Sequence, residues 1–335
     1  MRKALLLLLV LLPLCLLTGS VSLSPAEVWH ALWGSGDDTV SFIVLESRVP
    51  QMCTAVLAGL SLAGCGLVMQ TLFANPLADP SLLGVNSGAS LGAAIALLAL
   101  GGSMGIGAAT LGGAALTVAA AFLGAMGVMV LLLAASRLLR GTLALLVTGV
   151  MLSFAVSALI ALLSFWATAD GVRSFVVWGM GDFSALTLNR LPAFALLIVL
   201  PLFPLLLMTR QLDALLLGEE YAANLGVRVR RVRTRLLLLT GLLTAAVTAV
   251  CGPVSFIGLA VPHMARLLTR TASHRRLLPV SLVLGADTAL LALVLSHLPG
   301  DRGTIPLAAI TPLLGVPVVL WLLVRGRSGD ANSVE

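Results

Sequence analysis

Long runs of Leu, Ala, Val, Ile and Gly, repeated down the chain with almost no charge inside them, constrain this fold more than any other feature. A helix crosses the hydrocarbon core of a bilayer with about 20 apolar residues, and runs of that length recur throughout. Of 335 residues, 59% are hydrophobic and only 10% are charged, and mean hydropathy is +1.09. Soluble domains carry about 25% charged residues, so a water-soluble globule is excluded. Lipid satisfies no backbone group, which leaves helices or a closed barrel, and the absence of alternation along the runs selects helices.

Ten spans are expected, at about 4–19, 51–73, 82–100, 108–134, 143–168, 191–208, 236–251, 253–270, 277–298 and 306–324. Pro253 and Pro262 interrupt the eighth. The first follows Met1-Arg2-Lys3 and resembles a signal peptide, but no small-residue cleavage site follows it, so a retained helix is expected. The whole of 1–335 then reads as one all-α transmembrane domain. With both termini inside, sixteen of the twenty basic residues fall on the cytoplasmic side, leaving Arg48, Arg173, Arg190 and Arg302 outside. The net charge of +6 is thus a topology signal, and no basic soluble face exists for nucleic acid. Cys15, Cys53, Cys65 and Cys251 lie in or beside apolar spans without CxxC spacing, the placement of packing thiols.

Chemistry must then come from the polar islands. The only lysine is Lys3, so no GxxxxGK[ST] phosphate loop exists, and energy from ATP requires another subunit. HExxH is absent, and His30, His263, His274 and His297 are scattered, so no metal or nucleophile–base set marks an intramembrane enzyme. Gly84, Gly88 and Gly92, four residues apart, put small residues on one helix face, which fits close helix packing. "QLDALLLGEEYAANLGVRVRRVRTR" (211–235) reads as a helix from Leu212 to Asn224, a stop at Gly226 and a basic loop. An amphipathic helix bearing Glu219, Glu220 and Tyr221 between two spans suits a surface that docks a cytoplasmic partner. Pro262-His263 reads as a kinked helix with a hydrogen-bonded His, or as the relay of a proton-coupled secondary transporter. Asp287 is the clear intramembrane carboxylate available to such a relay.

Several islands, in order, resemble one family, the FecCD-type permeases of ABC importers for iron-siderophores, haem and cobalamin. They are Arg48-Val49-Pro50, Ser61-Leu62-Ala63-Gly64-Cys65-Gly66, Met69-Gln70, Asn75-Pro76-Leu77-Ala78-Asp79-Pro80, Leu83-Gly84, Ser87-Gly88-Ala89 and Trp178-Gly179-Met180-Gly181. Gly218-Glu219, Asn224-Leu225-Gly226, Phe256-Ile257-Gly258-Leu259, Pro262-His263, Arg266 and Gly315-Val316-Pro317 complete the set.

The resemblance implies a homodimer of ten-helix subunits in a bacterial inner membrane, an iron chelate or cobalamin as cargo, two cytoplasmic ATPase subunits and an external substrate-binding protein. ATP and Mg²⁺ would sit on the ATPase, with no cofactor or metal on this chain. It further implies coupling helices over about 212–226, with Leu217, Gly218, Glu219, Glu220, Ala223, Leu225 and Gly226 meeting the ATPase. Gly141 and Thr142 fall where the family narrows its cytoplasmic gate, although Thr142 also suits ordinary helix capping. Asn75 and Pro76 form the inner corner between spans two and three, a turn by residue type and part of the moving gate by resemblance. Arg48 matches an outer docking position for the binding protein. The family's ninth-span Asp and Arg are here Leu293 and His297, and the Glu before its last span is missing from Gly303–Ala308, which leaves Arg302 in "LPGDRG" as a substitute cation.

Overall fold

The computed structural model describes residues 1–101, 104–106, 109–111, 113–138, 142–300 and 303–331. Fifteen α-helices run along them: α1 (Arg2–Leu17), α2 (Pro25–Leu32), α3 (Asp38–Phe42), α4 (Val49–Leu72), α5 (Val85–Ala94), α6 (Gly113–Leu138), α7 (Thr142–Trp166), α8 (Ala169–Gly179), α9 (Leu191–Leu207), α10 (Thr209–Leu215), α11 (Glu219–Asn224), α12 (Val229–Cys251), α13 (Ile257–Thr269), α14 (His274–Ser296) and α15 (Leu307–Ala331). Wider π-type turns enter α4 at Ile43–Arg48 and extend α5 over Ile95–Ala99. One short antiparallel hairpin, β1 (Met104–Ile106) with β2 (Ala109–Leu111), is the only strand pair among the described residues of this all-helical fold.

Among the described residues, five helices are long and apolar enough to cross a membrane, the first being continuous over Asp38–Leu72. A sixth arises if α9 and α10, bent by 57° at their junction, are taken as one span. The apolar stretches Val85–Ala99 and Leu307–Trp321 are shorter. Ten crossings therefore exceed what length and composition support here.

Two boundaries differ for identifiable reasons. The basic stretch expected as a loop is instead the first two turns of α12, because arginine is a good helix former and Arg230, Arg231 and Arg235 project from its surface. The helix expected over Leu212–Asn224 breaks into α10 and α11 at Gly218, whose φ of +101° is left-handed backbone that glycine alone adopts cheaply.

The central helices are α4 and α14. Each has 72% of its apolar window buried, against 28% for α6 and 17% for α7. They pack through small residues, with Gly59 on Gly285 and Ala289, and α13 joins them where Gly66 meets Gly258. Gly88 and Gly92 pack α5 onto Gly124 and Ala120 of α6, as their spacing predicts, whereas Gly84 precedes α5 with φ +75°. The peripheral α7 leaves Leu143, Phe154, Phe165 and Trp166 uncovered within the protomer.

Candidate functional site: the arginine-rich end of the bundle

The stretch "FANPLADP" caps α4 at the arginine-rich end. Asn75 Oδ1 accepts from Leu77 N at 2.9 Å, and Asp79 Oδ1 accepts from Ser81 N at 2.9 Å, so both side chains hold their own turns. Pro76 is exposed, and its carbonyl accepts a 2.8 Å hydrogen bond from His263 Nε2 on α13. Arg266, one turn later, donates to Gln70 Oε1 at 2.6 Å, and Gln70 Nε2 donates to Leu259 O at 3.1 Å. Motifs scattered through the sequence thus meet: α4, the corner and the start of α13 form one hydrogen-bonded unit. His263 has a carbonyl partner, which matches the kinked-helix reading.

The segment between α9 and α12 is built as a projecting knob. Leu212, Ala214, Leu215 and Ala222 are buried and anchor it, while Leu216, Leu217, Tyr221 and Leu225 point outward, with Leu217 62% and Leu225 59% exposed. Gly218 breaks the helix, and Gly226, at φ +83°, ends it, with Gly226 N donating to Ala223 O at 2.9 Å. Glu219 pairs with Arg233 of α12, Glu220 and Ala223 are exposed, and the pair fixes α11 against the bundle. Acidic residues in the first turn of α11 also complement its helix dipole. The knob presents apolar side chains on a polar base, a surface that gains free energy when a partner covers it.

Sequence reasoning missed what fastens the knob. Asp213 Oδ1 accepts from His274 N at 2.6 Å, and His274, fully buried, reaches Thr71 of α4 through its other side. Sixty-one residues separate Asp213 from His274, and no local pattern signals the pairing.

At the opposite end, Arg48 is engaged within its own chain. It is only 5% exposed, and its guanidinium donates to the carbonyls of Leu16, Leu17 and Val21, so its charge is spent on the open C-terminus of α1. A guanidinium so engaged holds the outer loop's shape and is not presented to a partner. His297 caps α14, half-buried, with Nδ1 3.0 Å from Leu293 O. Thr142 is the first residue of α7. Gly141 and Arg302 lie outside the described residues.

Comparisons with known proteins agree with this geometry. The model of the FecCD transport family matches residues 6–325. A hemin transport system permease protein of Yersinia pestis is 37% identical over 92% of this chain and 90% of its own length. A vitamin B12 import system permease protein of Vibrio cholerae is 35% identical over 94% and 90%, respectively. A solved structure described as an inward-facing metal-chelate type ABC transporter superposes with a TM-score of 0.85 at 29% identity, covering 97% of this chain and 98% of that one. With an apolar helical bundle, no phosphate loop of its own and these motifs in place, the chain belongs to the FecCD transport family as the permease of an ABC importer.

Proposed function

We propose that this chain carries an iron chelate, a ferric siderophore or haem, across a bacterial inner membrane as one half of a homodimer with ten crossings per protomer and both termini in the cytoplasm. Two ATPase subunits seat on the knob, where Leu217, Gly218, Glu219, Glu220, Ala223, Leu225 and Gly226 form the contact. Closure of the ATPases on ATP displaces the knob, and the pathway between protomers opens and shuts at the gate of Gly141, Thr142, Asn75 and Pro76. A substrate-binding protein docks outside near His297 and Arg302, with Arg48 holding the end of α1 and the loop that follows it. The uncovered face of α7 supports a protomer–protomer seam, since α7 is the least buried of the long helices. The observation that carries the reading is the exposed Leu216–Leu217–Tyr221–Leu225 surface at the arginine-rich end, which the protomer leaves uncovered.

Cobalamin is the second cargo, favoured by the 35% identity to a vitamin B12 permease. The experiment is uptake of haemin, a ferric hydroxamate siderophore and cyanocobalamin, side by side, by proteoliposomes of the whole complex. Accumulation of an iron chelate in preference to cyanocobalamin supports the first reading, and the reverse selects the second.

A further inference from the structure

Asp213, His274 and Thr71 form a polar chain across three elements. His274 opens α14 and is fully buried; Asp213 lies on α10, just before the knob; Thr71 lies in the last turn of α4, beside the NPLADP corner. Asp213 Oδ1 accepts from His274 N at 2.6 Å and lies 2.8 Å from its Nδ1, while Oδ2 accepts from Ser273 Oγ at 3.2 Å. On the far side of the ring, Nε2 lies 2.8 Å from Thr71 Oγ1. Apolar neighbours can slide past one another, but a planar ring held at both nitrogens fixes distance and direction between its partners. Breaking either bond leaves a nitrogen of the fully buried His274 unpaired, so the three elements move together or lose a bond.

We propose that the Asp213–His274–Thr71 chain is the link that carries displacement of the knob to the inner end of α4 and its corner, with Asp213 and His274 as positioning residues for the transport cycle. The inference rests on the coupling role proposed above for the knob.

The test places a spin label at Leu77→Cys, an exposed corner position, with Cys53→Ser removing the half-buried thiol. The distance between the two protomers' labels is read by pulsed electron resonance in nanodiscs holding permease and cognate ATPase, with and without ATP–vanadate. We expect a nucleotide-dependent change in the otherwise unaltered protein. In Asp213→Ala the ATPase still co-purifies and hydrolyses ATP, but the shifted population falls about two- to thirtyfold, the span expected of a residue in a coupling path. Asp213→Asn, which keeps the accepting oxygen, restores the change. Thr71→Val reproduces the Ala variant, and the double variant is no worse than either. A full shift in Asp213→Ala overturns the link alone. Loss of folding or of bound ATPase in both Asp213→Ala and Thr71→Val assigns a purely structural role and also overturns it. An unaltered permease that binds no ATPase overturns the coupling reading, and the link with it.

Discussion

Gly59 of α4 and Gly285 of α14 meet backbone to backbone: a Cβ on Gly59 would lie 2.2 Å from Gly285 O, and one on Gly285 would lie 2.3 Å from Gly59 O. In lipid, helices gain little by hiding apolar surface, so association depends on this closeness of approach. Gly285→Ala forces the two central helices apart and is expected to cost about 1–3 kcal/mol. Thermal unfolding in detergent checks this. Gly127→Ala on α6, where a Cβ meets nothing within 4 Å, is the control and should melt unchanged.

That contact was half legible in the sequence. Glycine content and spacing announce that helices approach closely, yet nothing local says that Gly59 meets Gly285. The same limit hid the Asp213–His274 pairing. Turn chemistry was easier to read, because Asn75, Asp79 and Gly226 act on residues two or three positions away. Gly218 was misread as helical because the flanking residues suit a helix, while the sharp redirection of the chain belongs to tertiary packing. The contacts of Arg48 with α1 were not legible because a basic residue in an outer position signals topology without telling whether its charge faces water or the end of another helix.

Arg48 accordingly yields a stability prediction. Removing it leaves the part-buried carbonyls of Leu16 and Leu17 at the end of α1 without this donor, at up to about 1–3 kcal/mol for an unsatisfied group. Arg48→Ala should lower the melting temperature of the permease before any partner is added. Unchanged melting with lost binding-protein affinity would return Arg48 to direct docking.

Asp79 predicts a pH effect. Burial pushes its carboxyl above the ordinary range, outweighing the two Ser81 hydrogen bonds that lower it. The folded chain keeps this proton to higher pH than the unfolded chain, whose Asp titrates near about 3.9. Between those values the folded state binds more protons, so stability falls as pH rises. Asp79→Asn retains an oxygen for Ser81 N and has no charge to lose. Its stability relative to the unaltered protein should increase as pH rises from about 4 through the raised Asp79 value, measured by thermal unfolding across the range. A difference that does not change with pH contradicts the assignment.

Asp287 separates two energy sources. It is 3% exposed, and both its oxygens lack a hydrogen-bond partner among the described residues. In an ATP-driven permease such a group carries only cost, so Asp287→Leu should stabilise the fold by about 1–3 kcal/mol and leave uptake intact. Loss of uptake in a stable variant would assign the carboxylate to proton transfer.

The knob predicts a clean loss of partner. Leu217→Asp with Leu225→Asp places charge where apolar side chains are exposed, so the permease should fold and melt as before. Co-purified ATPase is expected to drop at least about tenfold, the equivalent of roughly 1.4 kcal/mol. Retention of the ATPase at the unaltered level would move the contact elsewhere.

Uptake into proteoliposomes holding the permease, its ATPase and its binding protein tests the central claim most directly, with ATP, vanadate and a protonophore varied independently. The account predicts transport that requires ATP, stops with vanadate and is indifferent to the protonophore. Transport that proceeds without ATP and collapses when the proton gradient is dissipated would contradict it.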